Sequence, residues 1–229
     1  MKMNHTLLYS MLLGLCTTLV SCRDEELNPY VAPEPGVHGF GQFLTADGDA
    51  IPAVDEFYSQ TAIDNAIAVD SAAQTTASVP FQVRYVSIDQ KLLANSMTLY
   101  VEFDQPYTDP DGNPRIAAFG GTSPGPTIPP GTQWTSLENL QNREPVSLSI
   151  TLQDVYDLYK DATFDYGNGV VNVFSAENGR PEGARFHTGD RVRIYWRIHA
   201  DNDLYFGSWS PSVCNEFLGA NCYIEFGVD

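Results

Sequence analysis

The residue types that most often carry chemistry are thinly placed in this chain of 229 residues, which has four cysteines and four histidines. His5, His38, His187 and His199 fall in no H-E-x-x-H or comparable metal spacing. No G-x-S-x-G elbow is present. Seven residues separate Cys214 from Cys222, and only Glu216 among them is a further metal-ligand type. The pair therefore reads as a disulfide staple rather than a metal site. A loop this short contributes roughly 2–3 kcal/mol on the chain-entropy argument. Carboxylate pairs for glycoside hydrolysis are defined by distance in space, so an unrecognised pair is the one open route to a hydrolase. The expectation is a protein that is not an enzyme and holds no metal or cofactor.

Two further groups have binding chemistry. Asp109-Pro110-Asp111-Gly112-Asn113 begins like a calcium loop, but the twelfth position, where an EF-hand needs a bidentate Glu, is Gly120. A tight turn between Tyr107 and Arg115 is the default, with an irregular calcium site as the alternative. Aromatic rings can lie against the apolar faces of sugars while acids, amides and arginines bond the hydroxyls. Trp134, Tyr205 and Trp209 are expected on or near loops, and Tyr100 and Tyr195 on outer strand faces. For each ring, filling a core with its polar tip at the surface is the competing role. Clustering around an open groove would mark a sugar binder, whereas burial would mark a packing or adhesive subunit.

The N-terminus is an address. Lys2 precedes an apolar run from Leu7 to Val20, too short for a stable span and right for an export signal over residues 1–21. Leu19-Val20-Ser21-Cys22 resembles the lipobox, in which the Cys is lipidated on sulfur and becomes the first mature residue. Cleavage without lipid is the alternative. Arg23-Asp24-Glu25-Glu26 and then Ala32-Pro33-Glu34-Pro35-Gly36 make residues 22–36 an acidic, Pro-rich tether. In an exported protein the remaining cysteines are expected to be oxidised.

The main body, 37–229, must place these residues. Its clearest signal is alternation. Met97, Leu99, Val101 and Phe103 fall on one face of Ser96–Asp104, and Val192, Ile194, Trp196 and Ile198 on one face of Arg191–His199. Trp196 is accordingly expected in the core. Strands are also expected at Val79–Ile88, Ser147–Leu152, Leu204–Trp209, Gly169–Ala176 and Tyr223–Val228, with one helical turn at Gln153–Lys160. Asp201-Asn202-Asp203 reads as a hairpin turn. Short strands with little helix point to an antiparallel, immunoglobulin-like β-sandwich. Pro106–Gly131 holds seven Pro and five Gly and reads as a long loop without periodicity.

Charge is strongly uneven. Twelve Lys+Arg face 29 Asp+Glu, a net charge of −17, which excludes nucleic acid as an expected partner because such binding rests on phosphate neutralisation. Asp24–Val83 has ten acids and no Lys or Arg, while Arg180–Arg197 has five Arg against Glu182 and Asp190. Mutual neutralisation of the two stretches is the plain reading. The sharper one has the outer face of Arg191–His199, Arg193 included, contact an anionic ligand or a partner.

The lipobox, the acidic start, the Pro-rich spacer and the β-rich body together resemble Bacteroidota surface lipoproteins. Residues 145–229 are similar to the small accessory lipoproteins of starch-utilisation-type nutrient uptake systems. The likeness rests on Val146–Leu152 followed by Asp154-Val155-Tyr156-Asp157-Leu158, on Gly189-Asp190-Arg191, and on Asp201–Asp203 leading into Leu204-Tyr205-Phe206. It implies an outer-membrane lipoprotein facing the exterior, held by its lipid anchor. It further implies a TonB-dependent transporter and its lid-like lipoprotein as partners, and a glycan or another nutrient as ligand. A structural or adhesive surface lipoprotein is the alternative.

Overall fold

The computed structural model describes residues 36–45, 47–51, 68–69, 76–121, 128–175, 185–208 and 222–228. The chain divides into two units, Met1–Pro35 and Gly36–Asp229. The second is built from β-strands with one α-helix among the described residues. In chain order the strands are β1 (Val37–Phe43), β2 (Ala68–Val69), β3 (Ser78–Ser87), β4 (Ala94–Thr108), β5 (Pro114–Phe119) and β6 (Thr132–Glu138). β7 (Val146–Thr151) runs into the helix α1 (Leu152–Tyr159). β8 (Thr163–Asp165), β9 (Val170–Asn172), β10 (Arg191–Ala200), β11 (Leu204–Gly207) and β12 (Ile224–Val228) complete the chain.

The strands form a three-stranded sheet, β1-β3-β7, and a seven-stranded sheet, β2-β12-β10-β4-β5, with β11 beside β10 and β6 beside β4. All pairings are antiparallel except β2 with β12. The two long strands β4 and β10 share ten register pairs at the centre of the larger sheet. Apolar residues at every second position give each sheet one apolar face, and burying those faces against each other makes the core. Phe43 of β1 meets Phe226 of β12 edge-on at 6.4 Å. Trp196 is 1% exposed, as its alternation requires, and lies under β1. A Cβ on Gly39 or Gly41 would stand 2.3 Å or 2.6 Å from its ring. These glycines let the small sheet approach the indole closely.

One end of the sandwich is closed by aromatic packing. Phe103 contacts Phe119, Phe174 and Phe186 with centroids 5.8, 5.6 and 5.4 Å away. Tyr107, Phe164 and Tyr166 form a second group that seats the β8–β9 hairpin. Buried Gln105 donates to the Val173 carbonyl at 3.1 Å and accepts from the Tyr166 hydroxyl, so its amide is satisfied inside this cluster.

The helix begins at a capping box: the Thr151 hydroxyl accepts from the Asp154 N–H at 3.0 Å and the Asp154 carboxylate from the Thr151 N–H at 2.8 Å. Val155 and Tyr159 face inward as expected. The Tyr159 hydroxyl donates to the Val101 carbonyl and accepts from the Thr132 N–H at 3.3 Å. Burial pushes this phenol up to about 12. Tyr159→Phe is expected to cost about 1–2 kcal/mol, because two buried backbone groups lose a partner. Thermal unfolding should show the loss as a fall in Tm.

Several expectations change. Ser147–Leu152 ends one residue early, since Leu152 already belongs to the capped helix. The Pro/Gly stretch is not one long loop. Its first half is the β4–β5 hairpin, with Thr108 opposite Pro114 and Phe103 opposite Phe119. Pro114 occupies the first position of its strand, where proline is tolerated, and Ala117 and Phe119 alternate into the core. Residues 122–127 lie outside the described residues.

Candidate functional site

β10 alternates cleanly. Val192, Ile194, Trp196, Ile198 and Ala200 are buried on its inner side, which puts Arg191, Arg193, Tyr195, Arg197 and His199 on the other. Directly paired residues share a face, so the register names their neighbours. On the β4 side these are Asp104 for Arg191, Glu102 for Arg193, Tyr100 for Tyr195, Thr98 for Arg197 and Ser96 for His199. On the other side Glu225 of β12 pairs with Arg193, and Tyr205 of β11 with His199. The face is thus acidic and cationic at one end and aromatic at the other.

The ionic end is organised around Arg193. Its Nη1 lies 3.0 Å from Glu102 Oε1 and 2.9 Å from Asp104 Oδ2, and its Nε donates to Glu225 Oε2. The guanidinium carbon stands 5.4 Å over the Tyr223 ring, which packs on Tyr195 at 5.3 Å. Tyr195 donates to Glu102 Oε1 at 3.1 Å, and Arg191 Nη1 reaches Glu225 Oε1 at 3.3 Å. Glu102, Asp104, Glu225 and Tyr195 are all buried.

Protonation follows from this packing. Burial raises Asp104 to about 6, against the pull of Arg193, and the neighbouring charges of Glu102 and Glu225 add to the rise. Burial works against the Arg193 charge, but Asp104 and Glu225 outweigh it and the guanidinium is held more firmly protonated than usual. Burial and then the Glu102 charge raise the Tyr195 phenol. One oxygen of the cluster, Asp104 Oδ1, is buried with no hydrogen-bond partner among the described residues.

The aromatic end is more open. Tyr205 is 41% exposed. His199 stacks on it with centroids 4.6 Å apart and planes 13° from parallel, and the Arg197 guanidinium carbon lies 3.9 Å over the same ring. His199 Nε2 is 3.3 Å from Asp203 Oδ1. Asn202 and Asp203 both take positive φ, 60° and 57°, in the turn that carries β10 into β11. The Asp201–Asp203 hairpin therefore stands where its residue types placed it.

The expected site residues are not gathered in one place. Arg193 and Tyr100 share the outer face of the large sheet, and Tyr205 stands at the far end of that face. Trp134 is on the opposite side. It lies in β6 at a register shift facing Leu99 and Tyr100, and packs on Phe81 of the other sheet at 6.1 Å. Trp134 and Tyr205 lie near the starts of their strands, β6 and β11, and stand on opposite edges and opposite faces of the sheet. The extra residue of the bulge turns the indole inward. Trp209, Cys22 and Cys214 lie outside the described residues, while Cys222 is buried just ahead of β12.

Of the ten acids in Asp24–Val83 only Asp47 and Asp49 are among the described residues, so the expected neutralisation by that stretch lies largely outside them. The described acids that meet Arg191 and Arg193 come from β4 and β12. A signal for this was present in two strands already recognised. Glu102-Phe103-Asp104 and Arg191-Val192-Arg193 are complementary at spacing two, so antiparallel pairing matches both charges at once. Glu225, Tyr195 and Tyr223 were not legible as partners, because no local pattern connects β12 to β10.

The Asp109 turn closes on itself. Asp109 Oδ1 accepts from the Asn113 N–H at 2.8 Å, and Oδ2 pairs with Arg115 Nε at 3.0 Å. The Asn113 backbone first, and then Arg115, hold this carboxyl below its usual range. A cation here would have to displace an arginine. Among the described residues no three His, Cys, Asp or Glu side chains stand where they could hold a metal ion, and no helix is long and apolar enough to cross a membrane.

The three carboxylates around Arg193 are committed to an internal ion cluster, and the exposed ring at the other end of the face is Tyr205. Compared with known proteins, the sequence matches no family model and no curated relative.

Proposed function

We propose that this protein is a lipid-anchored surface protein without catalysis, in which an immunoglobulin-like sandwich captures a ligand for a TonB-dependent, starch-utilisation-type importer. Cys22 would carry the lipid and residues 22–36 the spacing from the outer membrane. The carrying observation is the exposed Tyr205 ring, against which half-buried His199 and Arg197 stack at one end of the sheet face. Such a group offers hydrogen-bond donors beside an aromatic surface, the chemistry that hydroxyl-rich ligands use. The Cys214–Cys222 bond belongs to the same proposal. It is supported by Cys222 being buried and not a free thiol.

A second reading has support of its own. Trp134 packs inward on Phe81, and the Tyr205 ring is already in contact with Arg197 and His199. Aromatics occupied in this way fit a structural or adhesive lipoprotein that contacts other proteins.

A mild-detergent pull-down of the tagged full chain from native membranes, read by mass spectrometry, separates the two. Co-purification of a TonB-dependent transporter with its lid-like lipoprotein is the expected result. Recovery alone, or with unrelated surface proteins, would remove the importer reading and leave the adhesive one.

A further inference from the structure

The cluster around Arg193 holds more acid than base. Glu102 and Asp104 from β4 and Glu225 from β12 surround one half-buried guanidinium from β10. Arg191, the only other described cation reaching the group, makes one contact at 3.3 Å and is 55% exposed. Fully ionised, the group holds three buried negative charges, one half-buried positive charge and a second at the rim. Asp104 is the member the geometry serves least. It is 3% exposed, and among the described residues only Oδ2 has a partner while Oδ1 has none. Its neighbour across β5 is Ala118, which brings no donor side chain. Among the described residues the charged and titratable groups facing it are Arg191 and Arg193 from β10, Glu102 from its own strand and Glu225 from β12. Tyr195 and Tyr223 stand behind Arg193 and Glu102.

We propose that Asp104 is the proton-operated element of a latch joining β4, β10 and β12: protonated, it leaves the cluster neutral and clamped, and ionised, it loosens the attachment of β12. On ionisation the proton leaves to water, and no other bond changes. The carboxylate then carries a buried charge with one oxygen unpaired. Of the two seams that Arg193 bridges, β10–β12 has four register pairs against ten for β10–β4, so local separation of β12, which carries Glu225 away and admits water, is the opening that relieves it. The latch is independent of the anchor and of any importer, so it stands or falls separately from them.

The pH window follows from Asp104 moving from an ordinary 3.8 to about 6 in the folded protein. A carboxyl raised on folding binds its proton more tightly in the native state. Its contribution is therefore fully present below about 4 and is lost as pH rises through about 6. Two units correspond to at most roughly 100-fold in the folding equilibrium, and solvent screening of a partly accessible cluster reduces this to about 10-fold.

The test uses the full chain. Carboxyl NMR of the wild type should give Asp104 a midpoint near 6, and a midpoint at the ordinary carboxylate value overturns the proposal. Hydrogen exchange, corrected for intrinsic rates, should show protection in Ile224–Val228 falling about 10-fold between pH ~5 and pH ~7.5. In Asp104→Asn, whose amide can still accept from Arg193, that fall should vanish. Protection that is independent of pH in the wild type, or an undiminished fall in the variant, means there is no latch. Should the variant not fold, the wild-type midpoint and the wild-type exchange profile decide.

Discussion

Replacing Arg193 by alanine should destabilise the protein by about 3–5 kcal/mol at neutral pH, among the largest effects of any single substitution. The guanidinium holds Glu102, Asp104 and Glu225 from two other strands, and removing it leaves three buried carboxylates facing one another. For a domain of ordinary stability this is a third or more of the total. Denaturant unfolding checks it, as a lower midpoint at unchanged slope. The penalty should shrink on acidification, because protonating Asp104 removes part of the repulsion that Arg193 had balanced. A loss that stays constant from pH ~7.5 to pH ~5 would mean that packing of the arginine stem, rather than its charge, is what matters.

Gly131→Ala is the second severe change, at about 3–5 kcal/mol. Gly131 has φ +101°, and a Cβ would stand 2.5 Å from the Val101 carbonyl oxygen and 2.6 Å from its carbon. Both obstacles are backbone of the central strand β4, so nothing can swing aside. Gly120 packs against it, with φ +107°, and its own Cβ would stand 2.5 Å from the Gly131 Cα. The Tyr159 hydroxyl closes the arrangement through Val101 and Thr132. Gly121→Ala is the control. Its φ is +75° but no atom lies within 4 Å of the added Cβ, so only backbone strain of about 1 kcal/mol applies. Thermal melts of the two variants should differ by roughly 5 °C or more. Equal losses would mean that the close approach at Val101 does not limit the fold.

Both effects concern the same central strand, which says how the candidate face is held. β4 carries Val101 and Phe103 into the core, and Glu102 and Asp104 onto the opposite side. Close backbone approach at Gly131 and ion pairing at Arg193 therefore grip one strand from two directions. The open Tyr205 end lies beyond this grip, on the shorter β11, where side chains can change at lower cost in stability.

Alternation along the chain was enough to place Trp196 inside and Arg193 outside, because a strand's period of two is a local property and is written into consecutive residues. The same holds for the helix after Thr151 and for the hairpin at Asp201–Asp203, whose capping and turn chemistry span only a few positions. The chain of residues also carried the acidic, arginine-poor first half. What it did not carry was partnership. Glu102 lies 91 residues from Arg193 and Glu225 lies 32 away, and their meeting depends on which strands pair and in what register. A single bulge beside Tyr100 turned Trp134 to the core, and strand order put it at the opposite edge from Tyr205. Pairing, register and bulges are set by how whole faces bury one another, a condition satisfied across the folded domain and not within any short stretch of sequence.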